Sequence, residues 1–78
     1  MWKQEDDCLK KDFRFENFRE AFSFMTGVAL IAEKMDHHPD WTNSYNKVHI
    51  SLTTHSAGNK ITARDYELSE QIDKLAEK

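Results

Sequence analysis

Seventy-eight residues leave room for one domain with one core, so residues 1–78 are read as a single domain. Fourteen acidic and eleven basic side chains give a formal charge of −3, spread along the chain; a nucleic-acid partner or an anionic membrane surface would need a concentrated basic face instead. Cys8 is the only cysteine, which excludes an intrachain disulfide and fits a reducing, cytoplasmic compartment, and the longest purely apolar run, Val28–Ala32, is far too short to span a bilayer.

Trp2–Asp6 and Leu9–Phe15 read as two strands of a hairpin, and in the second Phe13 and Phe15 share one face while Asp12 and Arg14 share the other. Asn17, with Glu20 three residues on, predicts a helix start of the capping-box kind. Phe18, Ala21, Phe22, Met25, Val28, Ala29, Ala32 and Met35 then recur at intervals of three and four, predicting a broad apolar stripe laid against a sheet. Phe24 and Ile31 fall off that stripe with Gly27 between them, which predicts a close helix–helix contact at a subunit interface. Self-association is expected in any case, because so small a chain has no disulfide to stabilise it. The helix must stop before Pro39, since proline disfavours helical geometry in the residue before it.

An extended piece runs through Trp41 to Tyr45, followed by a tight turn near Asn46-Lys47. Val48, Ile50 and Leu52 alternate with His49, Ser51 and Thr53, the pattern of a strand with one buried face, and this sends His49 to the polar side. Ala57-Gly58-Asn59 is turn chemistry. Thr62 opens a last helix, with Asp65 suited to the cap and Tyr66, Leu68, Ile72 and Leu75 on its apolar side. The order strand, strand, helix, strand, strand, helix is an α+β layout, an antiparallel sheet with helices packed on one face.

Three of the four histidines, His37, His38 and His55, sit at breaks between elements, where loop groups held by rigid neighbours commonly do chemistry. Imidazole titrates nearest neutrality and can both give and accept a proton in one cycle. Taken singly, each has a plainer reading: His37-His38-Pro39 as a polar helix end, His55 as a surface turn, Asp65 as a helix cap, Glu33 as a solvated helix residue, Trp41 and Tyr45 as core or interface. Joint metal ligation is awkward, because adjacent His37 and His38 diverge on regular backbone, and a helical His-x-x-x-His with a glutamate base is absent. With no Gly-x-Ser-x-Gly and no phosphate loop, acid–base chemistry on a small polar molecule is what remains.

The segment from Glu33 through His37-His38-Pro39-Asp40-Trp41, then Tyr45-Asn46-Lys47-Val48, Leu52-Thr53-Thr54-His55 and Asp65 resembles the signature of pterin-4a-carbinolamine dehydratases. Phe13-Arg14-Phe15 followed by Phe18, Ala21, Phe22 and Met25 extends the likeness over nearly the whole chain. Family members usually begin with a further helix, and here only Met1 precedes Trp2, so the expected order is β-β-α-β-β-α without that helix. The resemblance implies a four-stranded antiparallel sheet. It also implies a homodimer or homotetramer formed through the 18–35 helix and a sheet edge. The implied substrate is 4a-hydroxytetrahydropterin, dehydrated to quinonoid dihydropterin in the recycling of the aromatic amino-acid hydroxylase cofactor. No further cofactor and no metal are implied. His37, His38 and His55 would share the acid and base roles, with Asp65, Glu33, Pro39, Trp41 and Tyr45 in support. Some members double as dimerisation partners of transcription factors, which implies a non-catalytic interaction protein as the alternative.

Overall fold

The computed structural model describes residues 1–77. Four strands, β1 (Lys3–Glu5), β2 (Cys8–Arg14), β3 (Asp40–Ser44) and β4 (Lys47–Leu52), form one antiparallel sheet in the order β1-β2-β4-β3. Helices α1 (Phe18–Met35) and α2 (Ala63–Ala76) cover one face, giving the expected α+β order β-β-α-β-β-α. The hairpins close through tight turns with left-handed backbone at Asp6 and Asp7 in the first and at Tyr45 in the second.

Strand alternation divides the sheet. Leu9 and Phe13 of β2 and Val48, Ile50 and Leu52 of β4 are buried under the helices, while Lys10, Asp12, Ser51 and His49 lie on the uncovered face. His49 Nδ1–H donates there to Asp12 Oδ1 at 2.6 Å, on the polar side as its alternation predicts. Lys11 falls on the helix-covered face but reaches out to an ion pair with Asp73 at 2.8 Å. Trp2 Nε1 donates to the same carboxylate, so the first residues are tied to α2.

Helix α1 corrects one expectation. Its buried residues are Ala21, Phe24, Val28 and Ala32. The Phe24 ring packs between Phe13 and Phe15, at centroid distances of 4.9 and 4.8 Å. A Cβ on Gly27 would stand 2.6 Å from Leu75 Cδ2, and Ile31 packs against the core. The face expected at a subunit contact is therefore turned inward, and the close helix–helix approach that Gly27 permits is made with α2 of the same chain. Phe18 and Phe22, expected against the sheet, are exposed, Phe22 by 53%, and Ala29 is exposed beside them. Ala21, Val28 and Ala32 of the expected stripe are buried and Met25 and Met35 pack against the core as expected, so the inward face is that stripe widened to Phe24, Gly27 and Ile31, with Phe18, Phe22 and Ala29 left outside.

Candidate active site

Antiparallel pairing explains how distant histidines meet. β3 begins at Asp40, opposite Ser51 near the end of β4, so the segment entering β3 and the segment leaving β4 emerge side by side. His37, His38 and Pro39 arrive on the first, and Thr54, His55 and Ser56 depart on the second. Together with Asp36, Asp40 and Arg64 they line one cleft of about 260 Å³.

The end of α1 aims the first two imidazoles. Asp36 takes the left-handed conformation (φ 53°, ψ 44°), its N–H donates to Glu33 O, and the His37 N–H donates to Ala32 O at 3.0 Å. This paired return is a Schellman stop, and it reverses the chain within two residues. His37 is thereby folded beneath the helix end, only 7% exposed, whereas His38 stays outside. The remaining carbonyls of that end, Met35 O and Asp36 O, accept from Arg64 Nη2 at 2.8 and 2.7 Å. A cation in the first turn of α2 opposes that helix's own dipole, but here it serves the negative end of α1.

Asp65, fully buried, holds His37. Its Oδ1 lies 2.6 Å from His37 Nε2, and its Oδ2 accepts from Thr54 Oγ1 at 2.7 Å and from Thr62 N at 2.8 Å. Two donors already converge on Oδ2, the pattern of an accept-only carboxylate, and against such a carboxylate the His37 Nε2 that faces Oδ1 is the donor. Thr54 spends its single hydroxyl proton on Asp65, hence Thr62 Oγ1, at 2.6 Å, donates to Thr54. Among the described residues no buried side-chain nitrogen or oxygen lacks a partner, so His37 Nδ1, which makes no hydrogen bond, is not fully enclosed, and it belongs to a ring that lines the cleft. His38 Nε2 sits 2.8 Å from Glu33 Oε1, both exposed. His55 Nδ1 lies 2.8 Å from Asn59 Oδ1, and its Nε2 is 3.7 Å from Asp40 Oδ2. Among these residues and the rest described, no three His, Cys, Asp or Glu side chains group closely enough to hold a metal ion.

The cleft thus gathers His37, His38, His55 and Pro39, with Asp65 directly behind His37 and Glu33 against His38. Two expected supporters do not reach it. Trp41, opposite Ile50, is turned by strand alternation onto the helix-covered face and packs against the core. Tyr45 lies in the β3–β4 turn, at the far end of the strand that begins at Asp40, and is exposed. Asp36, Asp40, Thr54, Asn59 and Arg64 are additional. Asp36, Asp40 and Thr54 lie within the segments that carry the resemblance and Asn59 within the turn, while Arg64 has a signal of its own as a cation in a first helical turn where the dipole disfavours it.

A family model described as pterin 4 alpha carbinolamine dehydratase matches residues 1–75. A protein of Prochlorococcus marinus (strain NATL2A) is 60% identical over 74 residues, which cover 95% of this chain and 77% of that one. A protein of Opitutus terrae (strain DSM 11246 / JCM 15787 / PB90-1) is 48% identical over 75 residues, covering 96% and 77%. Both carry the provisional name pterin-4-alpha-carbinolamine dehydratase. A solved transcriptional coactivator/pterin dehydratase from Brucella melitensis superposes with a TM-score of 0.91 at 40% identity, over 96% of this chain and 81% of that chain. A pterin dehydratase-like protein identified as a RuBisCO assembly factor in the alpha-carboxysome superposes with a TM-score of 0.79 over 97% and 87%; at 19% identity that likeness is one of fold.

Proposed function

The chain belongs to the pterin-4a-carbinolamine dehydratase family, and from that premise we propose that it dehydrates a 4a-hydroxytetrahydropterin to quinonoid dihydropterin by histidine acid–base catalysis. The observation that carries the reading is the convergence of His37, His38 and His55 on one cleft. Loss of the 4a-hydroxyl requires a proton delivered to the leaving oxygen and a proton taken from a ring nitrogen. Imidazoles presented from two sides of a cleft suit both tasks, each contributing about 100- to 10,000-fold. His37, backed by Asp65, and His55, backed by Asn59, face the cleft from different elements. His38, steadied by Glu33, lies at its rim. The guanidinium of Arg64 and the carboxylates of Asp36 and Asp40 supply polar contacts for the edges of a flat heterocycle.

The test is the disappearance of pterin carbinolamine with purified protein, with and without a chelator. Turnover that survives chelation and falls at least about 100-fold in His37→Ala and His55→Ala supports the reading. Unchanged rates in both variants defeat it.

A second reading rests on the exposed pair Phe18 and Phe22, whose rings stack 5.7 Å apart on the outer face of α1. Two large aromatic side chains in water suit a self-association surface, forming a homodimer or homotetramer, or a surface for another helical partner. A cytoplasmic location accords with the lone, unpaired Cys8. Among the described residues no helix is long and apolar enough to cross a membrane.

A further inference from the structure

We infer that Asn59 is a positioning residue that fixes His55 in its Nδ1–H tautomer and so presents Nε2 to the cleft. The loop after β4 is built to hold one ring. Thr54 N–H donates to Lys60 O at 2.9 Å, and Ala57 N–H and Asn59 N–H both donate to Thr54 O at 3.1 Å. Gly58 N–H donates to His55 O, also at 3.1 Å, so both ends of the segment are closed by backbone bonds. Gly58 (φ 76°) and Asn59 (φ 61°) are consecutive left-handed residues. Asparagine is among the few side-chain-bearing residues that adopt this conformation readily. The reversal turns its carboxamide back over the loop, with Oδ1 2.8 Å from His55 Nδ1.

An amide oxygen only accepts, so the proton on that line belongs to His55 Nδ1, and in the neutral ring Nε2 then carries the lone pair. Nε2 lies on the side of Asp40, 3.7 Å from its Oδ2, across the cleft mouth. His37 is held the opposite way, with Nε2–H given to Asp65 and Nδ1 open. The two rings thus offer different nitrogens to one space. His55 is exposed, with 66% of its side chain in water, so burial does not orient it, and the hydrogen bond to Asn59 does. The inference deepens the dehydratase reading and rests on it for its kinetic consequence, whereas the tautomer is measured without turnover.

The experiment is nitrogen-15 NMR of the imidazoles at a pH about two units above the ordinary histidine pKa of about 6.5, where free rings are neutral. Wild type is compared with Asn59→Gly, which keeps the left-handed backbone but removes the carboxamide, and with Asn59→Asp, which restores an acceptor. Backbone amide spectra establish that each variant is folded. Wild type and Asn59→Asp are expected to show His55 protonated at Nδ1, and Asn59→Gly a mixture of the two tautomers. In the dehydratase assay kcat should fall about fivefold in Asn59→Gly with KM nearly unchanged, and recover in Asn59→Asp. That is less than a whole acid–base group contributes, because part of the population still shows the right nitrogen. A wild-type His55 protonated at Nε2, as it would be if the carboxamide NH2 donated to Nδ1, overturns the inference. So does a tautomer unmoved by Asn59→Gly. Tautomers behaving as expected in a protein that dehydrates no pterin would uphold Asn59 and sink the dehydratase reading instead.

Discussion

Asp65 and His37 are 28 residues apart in the chain and 2.6 Å apart in the fold, with both side chains withdrawn from water. The same carboxylate caps α2 and anchors Thr54, two residues beyond the end of β4, so one side chain ties together α2, the exit from α1 and the exit from the sheet at the edge of the cleft. Stability and site geometry are consequently coupled at this residue.

Replacing Asp65 by alanine strands the Thr62 N–H and the His37 ring and leaves the Thr54 hydroxyl only Thr62 Oγ1 as partner. Each unsatisfied buried donor costs about 1–3 kcal/mol, and some of these will find water, so a net loss of about 3 kcal/mol is expected. Asp65→Asn should lose less, about 2 kcal/mol, because the amide keeps one acceptor but meets a donor with its NH2. Urea denaturation measures both, and dehydration of a pterin carbinolamine should fall in both under conditions where the variants remain folded.

Arg64→Met keeps the aliphatic stem and removes the donor to Met35 O and Asp36 O. These carbonyls are near solvent and can recruit water, so the expected loss is only about 1 kcal/mol. Amide hydrogen exchange should quicken locally at His37 and Asp36 if the helix end loosens. Equal protection in variant and wild type would show that the Schellman turn holds unaided.

Gly27 sits under Leu75, whose methyl an added Cβ would meet at 2.6 Å. The obstacle is the tip of a flexible side chain, and alanine gains about 1 kcal/mol in helix propensity, so Gly27→Ala should lie within about 1 kcal/mol of wild type. Gly27→Leu cannot be absorbed by one rotamer and should lose about 3 kcal/mol, read as a lower denaturant midpoint.

Phe22→Glu places a charge on the outer face of α1 without touching the core. Sedimentation should show a smaller species than wild type, and the unfolding free energy of the dissociated chain should change by under about 0.5 kcal/mol. An unaltered assembly would remove Phe22 from any subunit contact.

The alternation in Val48, Ile50 and Leu52, the Thr62–Asp65 cap and the stop before Pro39 were legible because each is a local signal with one physical meaning. The facing of α1 was legible only in part, with Ala21, Val28 and Ala32 inward as expected and Phe18 and Phe22 outward. Phe18-Phe22 and Phe24-Gly27-Ile31 are both apolar rows, and periodicity cannot say which meets the sheet until Phe13, Phe15 and Leu75 are in position. The imidazoles could be picked out by residue type and spacing. Asp40 and Asn59 could not be given a part, since an exposed polar residue at a strand start or in a turn shows no partner before the strands bring it beside His55. Trp41 shows the reverse: its neighbours in sequence line the cleft, and alternation alone sends it elsewhere.

The return of the chain at Asp36 has an effect on what mutations the protein can absorb. Adding or deleting one residue between Gly27 and Asp36 would swing everything beyond it by about 100° around the helix axis. Either Gly27 would leave Leu75 or His37 would leave Asp65, since Gly27 lies on α1 and the turn at Asp36 ties His37 to the end of that same helix. Substitutions along the outer surface of α1 should be tolerated, whereas insertions and deletions in its second half should not, which makes the number of residues there as strict a requirement as the histidines themselves.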